Sequence, residues 1–210
     1  ILHQITDFYH FVLVFFLCHG FLNILICRLL QYLCLHIGQK LYRSRVTPIG
    51  QKKIKWDKMG CPPKELTTAG RANPIGIPYL YLSDSAKTTY FEVRAVYLDK
   101  LSVGTFRIEK DLKLIDFVYD VNLFLSYNDG SVPLKETIIK KKVIEAISSD
   151  LSKPLRRYDS EIEYVPTQLI CEYCRRIVDS EGATADGITF ESSLHKGGRN
   201  YVLFDESAAK

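Results

Sequence analysis

"GRANPIGIPYLYLSDSAKTTYFEVRA", residues 70–95, passes from turn to strand to helix within 26 residues. Gly70, Pro74, Gly76 and Pro78 punctuate its first part as a turn. In "IPYLYLS", residues 77–83, side chains alternate as on a strand, Leu80 and Leu82 on one face and Tyr79, Tyr81 and Ser83 on the other. The leucines claim the core. "SAKTTYFEVRAV", residues 85–96, then reads as a helix, with Ser83, Asp84 or Ser85 as candidate N-cap.

The same mixture continues on both sides, so the fold class expected is α+β. "KLYRSRV" (40–46) reads as a first strand, and "LSVGTFRI" (101–108) and "LKLIDF" (112–117) as paired strands turning at Glu109–Asp111. In "PLKETIIKKKVIEAISS" (133–149), Leu134, Ile138, Ile139, Val143, Ile144 and Ile147 recur at helical spacing, which leaves Lys140, Lys141 and Lys142 as a solvated face. "TQLICEYCRRIV" (167–178) repeats the pattern through Leu169, Ile170, Tyr173, Cys174 and Ile177. "DGITFESS" (186–193) and "NYVLFD" (200–205) read as closing strands around the loop "LHKGGR".

The chain has 210 residues, enough for one sizeable core but not for two full enzyme domains. A net charge of +4 with dispersed basic residues argues against a nucleic-acid platform. Six cysteines (18, 27, 34, 61, 171 and 174) form no disulfide framework, which points to a reducing compartment. Cys171 and Cys174 make a CxxC, but a zinc site needs four ligands and no second pair accompanies it, so no metal is expected.

Residues 8–27, "FYHFVLVFFLCHGFLNILIC", hold no Asp, Glu, Lys or Arg. About 20 such residues suffice for a membrane-crossing helix. His10, His19, Gly20 and Asn23 inside the run, and its continuation past Arg28, fit a helical layer packed on the domain or an aberrant leader as well. Residues 1–39 are therefore set apart as an apolar helical leader with membrane contact through 8–27 as one reading, and 40–210 as the main domain.

Several side chains suggest chemistry. The tyrosine face of 77–83 either lines a cleft or covers the second face of the sheet. Glu92, flanked by Tyr90, Phe91 and Val93, is a carboxylate in apolar company; a pocket explains it, as does a surface ion pair with Arg94. Arg71 follows Gly70 in a turn, a guanidinium beside exposed backbone N–H groups that suits phosphate oxygens. Arg43 and Arg45, two apart on a strand, point the same way, and Ser192 falls on the face of Ile188 and Phe190.

Four blocks in order, "LYRSR", "GRANPIGIPYLYLSDSAKTTYFEVRA", "YVPTQLICEYCRR" and "DGITFESS…GGRNYVLF", resemble the RES domain family, named after its Arg, Glu and Ser. The resemblance covers roughly residues 40–207. It implies a fold similar to ADP-ribosyltransferase toxins, the toxin half of a bacterial toxin–antitoxin pair, and destruction of NAD with release of nicotinamide. By motif, the family's residues correspond to Arg43, Arg71, Tyr81, Glu92 and Ser192, with Ser193 as the alternative serine. Ala72 stands where many members carry Trp, so different stacking is expected at that edge.

On this resemblance Arg43, Glu92 and Ser192 are expected to be catalytic, and Arg71, Tyr81, Ser193 and Arg45 to bind substrate. Cleavage of the nicotinamide–ribose bond passes through an oxocarbenium-like state that a carboxylate stabilises, here Glu92. The arginines hold the pyrophosphate, Tyr81 borders the nicotinamide and Ser192 orients the ribose or the glutamate. Nicotinamide leaves from an already cationic ring nitrogen, so no general acid is required. NAD is substrate rather than cofactor. The acceptor is water (a glycohydrolase), inorganic phosphate (a phosphorylase) or a protein side chain (an ADP-ribosyltransferase). A helix-turn-helix antitoxin is the implied partner and the cytoplasm the implied location. A membrane-attached, non-catalytic nucleotide-binding module is the competing reading from another class.

Overall fold

The computed structural model describes residues 30–118, 134–153, 161–179 and 182–210. It is an α+β structure. Among the described residues seven strands form one mixed sheet: β1 (Tyr32–Leu35), β2 (Lys40–Val46), β3 (Leu80–Ser83), β4 (Leu101–Arg107), β5 (Leu112–Asp116), β6 (Gly187–Glu191) and β7 (Arg199–Leu203). Three α-helices accompany it among the described residues, α1 (Ala86–Glu92), α2 (Leu134–Ser152) and α3 (Val165–Arg176). The spatial order is β1-β5-β6-β7-β3-β2-β4, antiparallel throughout except for β5 beside β6.

That order forces the sheet to bend. β1 and β2 are consecutive in the chain yet stand at positions one and six; β4 and β5 stand at seven and two. In a flat sheet either pair would lie about 24 Å apart. The five-residue steps from Leu35 to Lys40 and from Arg107 to Leu112 reach only about 18 Å even when extended. The sheet therefore curls until its ends approach, and Gly38, at φ +85°, donates its N–H to the Ile108 carbonyl across the gap.

The curl corrects the expected hairpin between 101–108 and 112–117. β4 pairs instead with β2 over seven residues, from Lys40↔Arg107 to Val46↔Leu101, while β5 lies between β1 and β6. The C-terminal tail takes the place of a hairpin partner beside β4: Lys210 N–H bonds Arg107 O at 2.9 Å and Glu109 N–H bonds Ala208 O at 3.0 Å.

Alternation along the strands supplies two cores. Leu41, Leu80, Leu82, Phe106, Leu112, Leu114 and Leu203 fill the inside of the curl. On the other face Tyr79, Ile115, Ile188, Phe190 and Val202 meet Leu151 of α2 and Cys171 and Cys174 of α3. The expected helical stripes shift accordingly. α2 buries Ile144 and Leu151 but leaves Leu134, Ile138 and Ile139 exposed; of the second expected stripe Cys174 and Ile177 are buried while Leu169, Ile170 and Tyr173 are half-buried, and α3 buries Thr167 and Cys171 beside them.

Residues 32–35, expected within a helical leader, are strand: Tyr32–Leu35 pair antiparallel with Leu112–Ile115. The apolar run 8–27 and the segment 119–133 lie outside the described residues. Among the described residues no helix is long and apolar enough to cross a membrane.

Candidate active site

β2 and β3 meet at a single residue pair, Tyr42↔Ser83. Beyond it they diverge, because the chain leaves β3 at Ser83 and turns at once into α1. Ser85 caps that helix, its hydroxyl accepting from the Thr88 N–H at 3.2 Å. Thr89 on α1 then bonds Ser44 of β2, Oγ to Oγ at 2.5 Å, so the helix bridges the opening. The expected helix to residue 96 ends at Glu92: Val93 is the C-cap and Arg94 takes φ +49°, a left-handed conformation that stops the helical ladder. Glu92 is thereby left at the helix terminus, looking into the space between the strands.

That space is a cleft of about 640 Å³ whose wall includes Arg43, Arg71, Tyr81, Glu92, Arg94 and Asn200. Three arginines and one carboxylate thus share a hollow large enough for a dinucleotide's reacting half. Arg43 is half-buried; its Nη1 donates to Gly60 O at 3.2 Å. Burial, followed by the charge of Arg45, pushes its guanidinium below the usual arginine value. Arg71 is held at the cleft edge, its Nη1 donating to Leu151 O at the end of α2. Thr167 and Gln168 of α3 bond the carbonyls of Arg71 and Gly70 at 2.6 and 2.8 Å.

Glu92 is held by one oxygen. Its Oε1 accepts from Ser192 Oγ at 2.6 Å and from Asn200 Nδ2 at 2.8 Å. Ser192 Oγ itself accepts the His195 backbone N–H at 3.1 Å, which directs the hydroxyl proton to the carboxylate. Glu92 Oε2 carries no hydrogen bond from the described residues. The expected alternative of an ion pair with Arg94 is not what holds this carboxylate. His195 is fixed in turn by its Nδ1 contact with Thr88 Oγ1 at 2.9 Å and by stacking on Phe91 with centroids 5.1 Å apart. Gly198 makes this approach possible, since a Cβ there would fall 2.7 Å from both His195 Nδ1 and Thr88 Oγ1.

Arg43, Arg71, Tyr81 and Glu92 line the cleft, and Ser192 joins it through Glu92. Three expectations change. Ser193 is exposed on the loop after β6 and does not line the cleft; only Ser192 reaches Glu92, because adjacent residues leave a strand on opposite sides. Arg45 does not line it either; its Nη2 joins Arg43 on the Gly60 carbonyl at 2.8 Å. The tyrosine face is not open as a whole: Tyr79 is 2% exposed and donates to Glu172 under α3. Tyr81 borders the cleft, but its hydroxyl accepts from Ala72 N–H at 3.0 Å and donates to Asn73 Oδ1 at 2.7 Å. Burial pushes the Tyr81 phenol well up, so it remains a neutral clamp on the Arg71 turn.

Sequence reading passed over Asn200, Ser44 and Thr89. Asn200 had a signal: it is the polar residue two before Val202 on one face of a closing strand, where an apolar residue is expected. The CxxC pair has no ligand geometry. Both thiols are buried in the core under α3, and burial raises Cys174 to about 12. Among the described residues no cluster of three or more His, Cys, Asp or Glu could hold a metal ion.

The RES domain family model matches residues 40–210, from the first residue of β2 to the C-terminal residue. This chain belongs to the RES domain family. No curated protein and no solved structure matches it. The RES match contains every cleft-lining residue named above; of the sheet, only β1 precedes it.

Proposed function

We propose that this RES domain cleaves the nicotinamide–ribose bond of NAD, acting as a toxin-like glycohydrolase or phosphorylase on a scaffold similar to that of ADP-ribosyltransferase toxins. The observation that carries the reading is the Glu92 carboxylate, fixed by Oε1 and open at Oε2, in a cleft shared with Arg43, Arg71 and Arg94. The arginines bind the pyrophosphate and so fix a flexible dinucleotide with its ribose over the end of α1. Oε2 then lies against the ribose, where positive charge develops as the glycosidic C–N bond breaks.

The bonding electrons leave with the nicotinamide nitrogen, which becomes neutral. Water adds to the anomeric carbon to give ADP-ribose and one released proton; inorganic phosphate adds there to give the 1-phosphate. Glu92 also attracts the acceptor's proton. Tyr81 serves as the wall beside the leaving ring and as the clamp that keeps Arg71 in place.

The test is a product analysis of the purified protein with NAD, with and without inorganic phosphate. Free nicotinamide in stoichiometric amounts with ADP-ribose or its 1-phosphate is expected. NAD recovered intact at high enzyme concentration overturns the reading, and label from the adenylate half appearing on a protein moves it to ADP-ribosyl transfer.

A further inference from the structure

We propose that Asn200 is the positioning residue for the Glu92 carboxylate and that Ser83 anchors its amide from the oxygen end; for its catalytic consequence this rests on the NAD-cleaving reading above. Glu92 is the last residue of α1, with helical support on one side only and three rotatable side-chain bonds. Two strands restrain it. Ser192 follows β6 and Asn200 belongs to β7, and both donors converge on Oε1. One donor alone leaves the carboxylate free to swing about that contact; two donors from separate strands hold Oε1 from two directions and leave Oε2 without a hydrogen bond from the described residues.

The Asn200 amide could be set either way round, and the structure supplies the reason for one. The Glu92 carboxylate only accepts, so Nδ2 faces it, and Ser83 Oγ holds the other end by donating to Asn200 Oδ1 at 2.9 Å. The reversed amide would set Oδ1 against the carboxylate, oxygen to oxygen. Asn200 and Ser83 are 6% and 4% exposed, so water does not substitute for either contact. Ser83 is also the β3 residue that pairs with Tyr42 where β2 and β3 part. The chain Ser83–Asn200–Glu92 thus runs from the point where the cleft opens to the group that acts in it.

Three variants test this by steady-state kinetics of nicotinamide release, with thermal melts to verify folding. Asn200→Ala removes the donor, Asn200→Asp replaces it by an acceptor at nearly unchanged volume, and Ser83→Ala removes only the anchor. kcat is expected to fall about 10- to 100-fold in Asn200→Ala and at least as far in Asn200→Asp, and about 2- to 10-fold in Ser83→Ala. KM for NAD is expected to stay within about 3-fold in all three, because the arginines are untouched. A space-filling role predicts the opposite order, with Asn200→Asp near wild type and Asn200→Ala impaired, and that result overturns the proposal. If the Asn200 variants do not fold, Ser83→Ala decides alone: unchanged kcat overturns. If the wild type itself releases no nicotinamide, the enzymatic reading falls separately, and positioning is judged from a crystal structure of Asn200→Ala or Ser83→Ala. A Glu92 carboxylate turned away from its wild-type orientation, whether or not it keeps Ser192, sustains it; one left in place overturns it.

Discussion

Glu92→Gln is the sharpest single change because it separates charge from shape. A glutamine oxygen accepts from Ser192 and Asn200 as Oε1 does, so the local structure survives. What disappears is the negative charge beside the ribose. Nicotinamide release is expected to drop about 10²- to 10³-fold with little change in melting temperature; a Gln variant retaining more than about a third of wild-type turnover would remove Glu92 from the chemistry. Ser192→Ala acts one bond further away. It deletes one of two donors to Oε1 and leaves the charge, so a smaller loss, about 10-fold, is expected in the same assay. Ser192 equal to or worse than Glu92 in that comparison would mean that the hydroxyl touches the substrate itself. At this scale the sequence was most readable where a motif fixes residue identity: Arg43, Arg71, Tyr81 and Glu92 line one cleft, and Ser192 bonds Glu92. Asn200 escaped because its partners, Ser83 and Glu92, are 117 and 108 residues away in the chain, and no local spacing encodes such a contact.

Among the elements, those whose signals are local were legible and those defined by distant partners were not. The period-two pattern of 77–83 and the serine before 86 suffice for β3 and α1, since alternation and a cap are written within a few residues. The length of α1 was not readable, because Val93–Val96 continues a helix-compatible pattern and only the left-handed Arg94 ends it. Nor was the partner of β4, since the four residues between it and β5 suit a tight hairpin and a step across a curled sheet equally well. The turn at Gly70 shows how closely such elements are fitted. A Cβ there would stand 2.4 Å from Asn73 Oδ1 and 2.8 Å from Tyr81 Oη, the two atoms that bond each other to close the turn. Gly70→Ala is therefore expected to cost about 1–3 kcal/mol in urea unfolding and to raise KM for NAD, since Arg71 rides on the displaced turn. A variant with wild-type stability and KM would mean that the turn yields freely and that Arg71 is not held by it.

Over the whole molecule, the second core fixes how stability responds to alkali. Cys171 and Cys174 lie 0% and 2% exposed between the sheet and α3. Burial raises both thiols from the ordinary value of 9.0, Cys174 to about 12 and Cys171 strongly, with Cys174 and Glu172 adding to the latter. Below pH 9 these groups are protonated in the folded and unfolded chains alike, and the stability they support is fully present. Above pH 9 the unfolded chain releases thiol protons that the folded chain keeps, so the unfolded state binds fewer protons and stability falls as pH rises toward about 12. Cys61, raised to about 11 chiefly by burial, acts in the same direction. The urea midpoint is expected to be lower at pH 10 than at pH 8. Titrating lysines and tyrosines also contribute to any such drop, so the informative comparison is the double variant Cys171→Ala/Cys174→Ala. It starts from a lower midpoint because two buried side chains are cut back, yet it should lose less between pH 8 and pH 10 than the wild type does. An equal loss in both proteins would mean that these thiols ionise without unfolding the chain, and that the seal between α3 and the sheet is looser than the burial of this core requires.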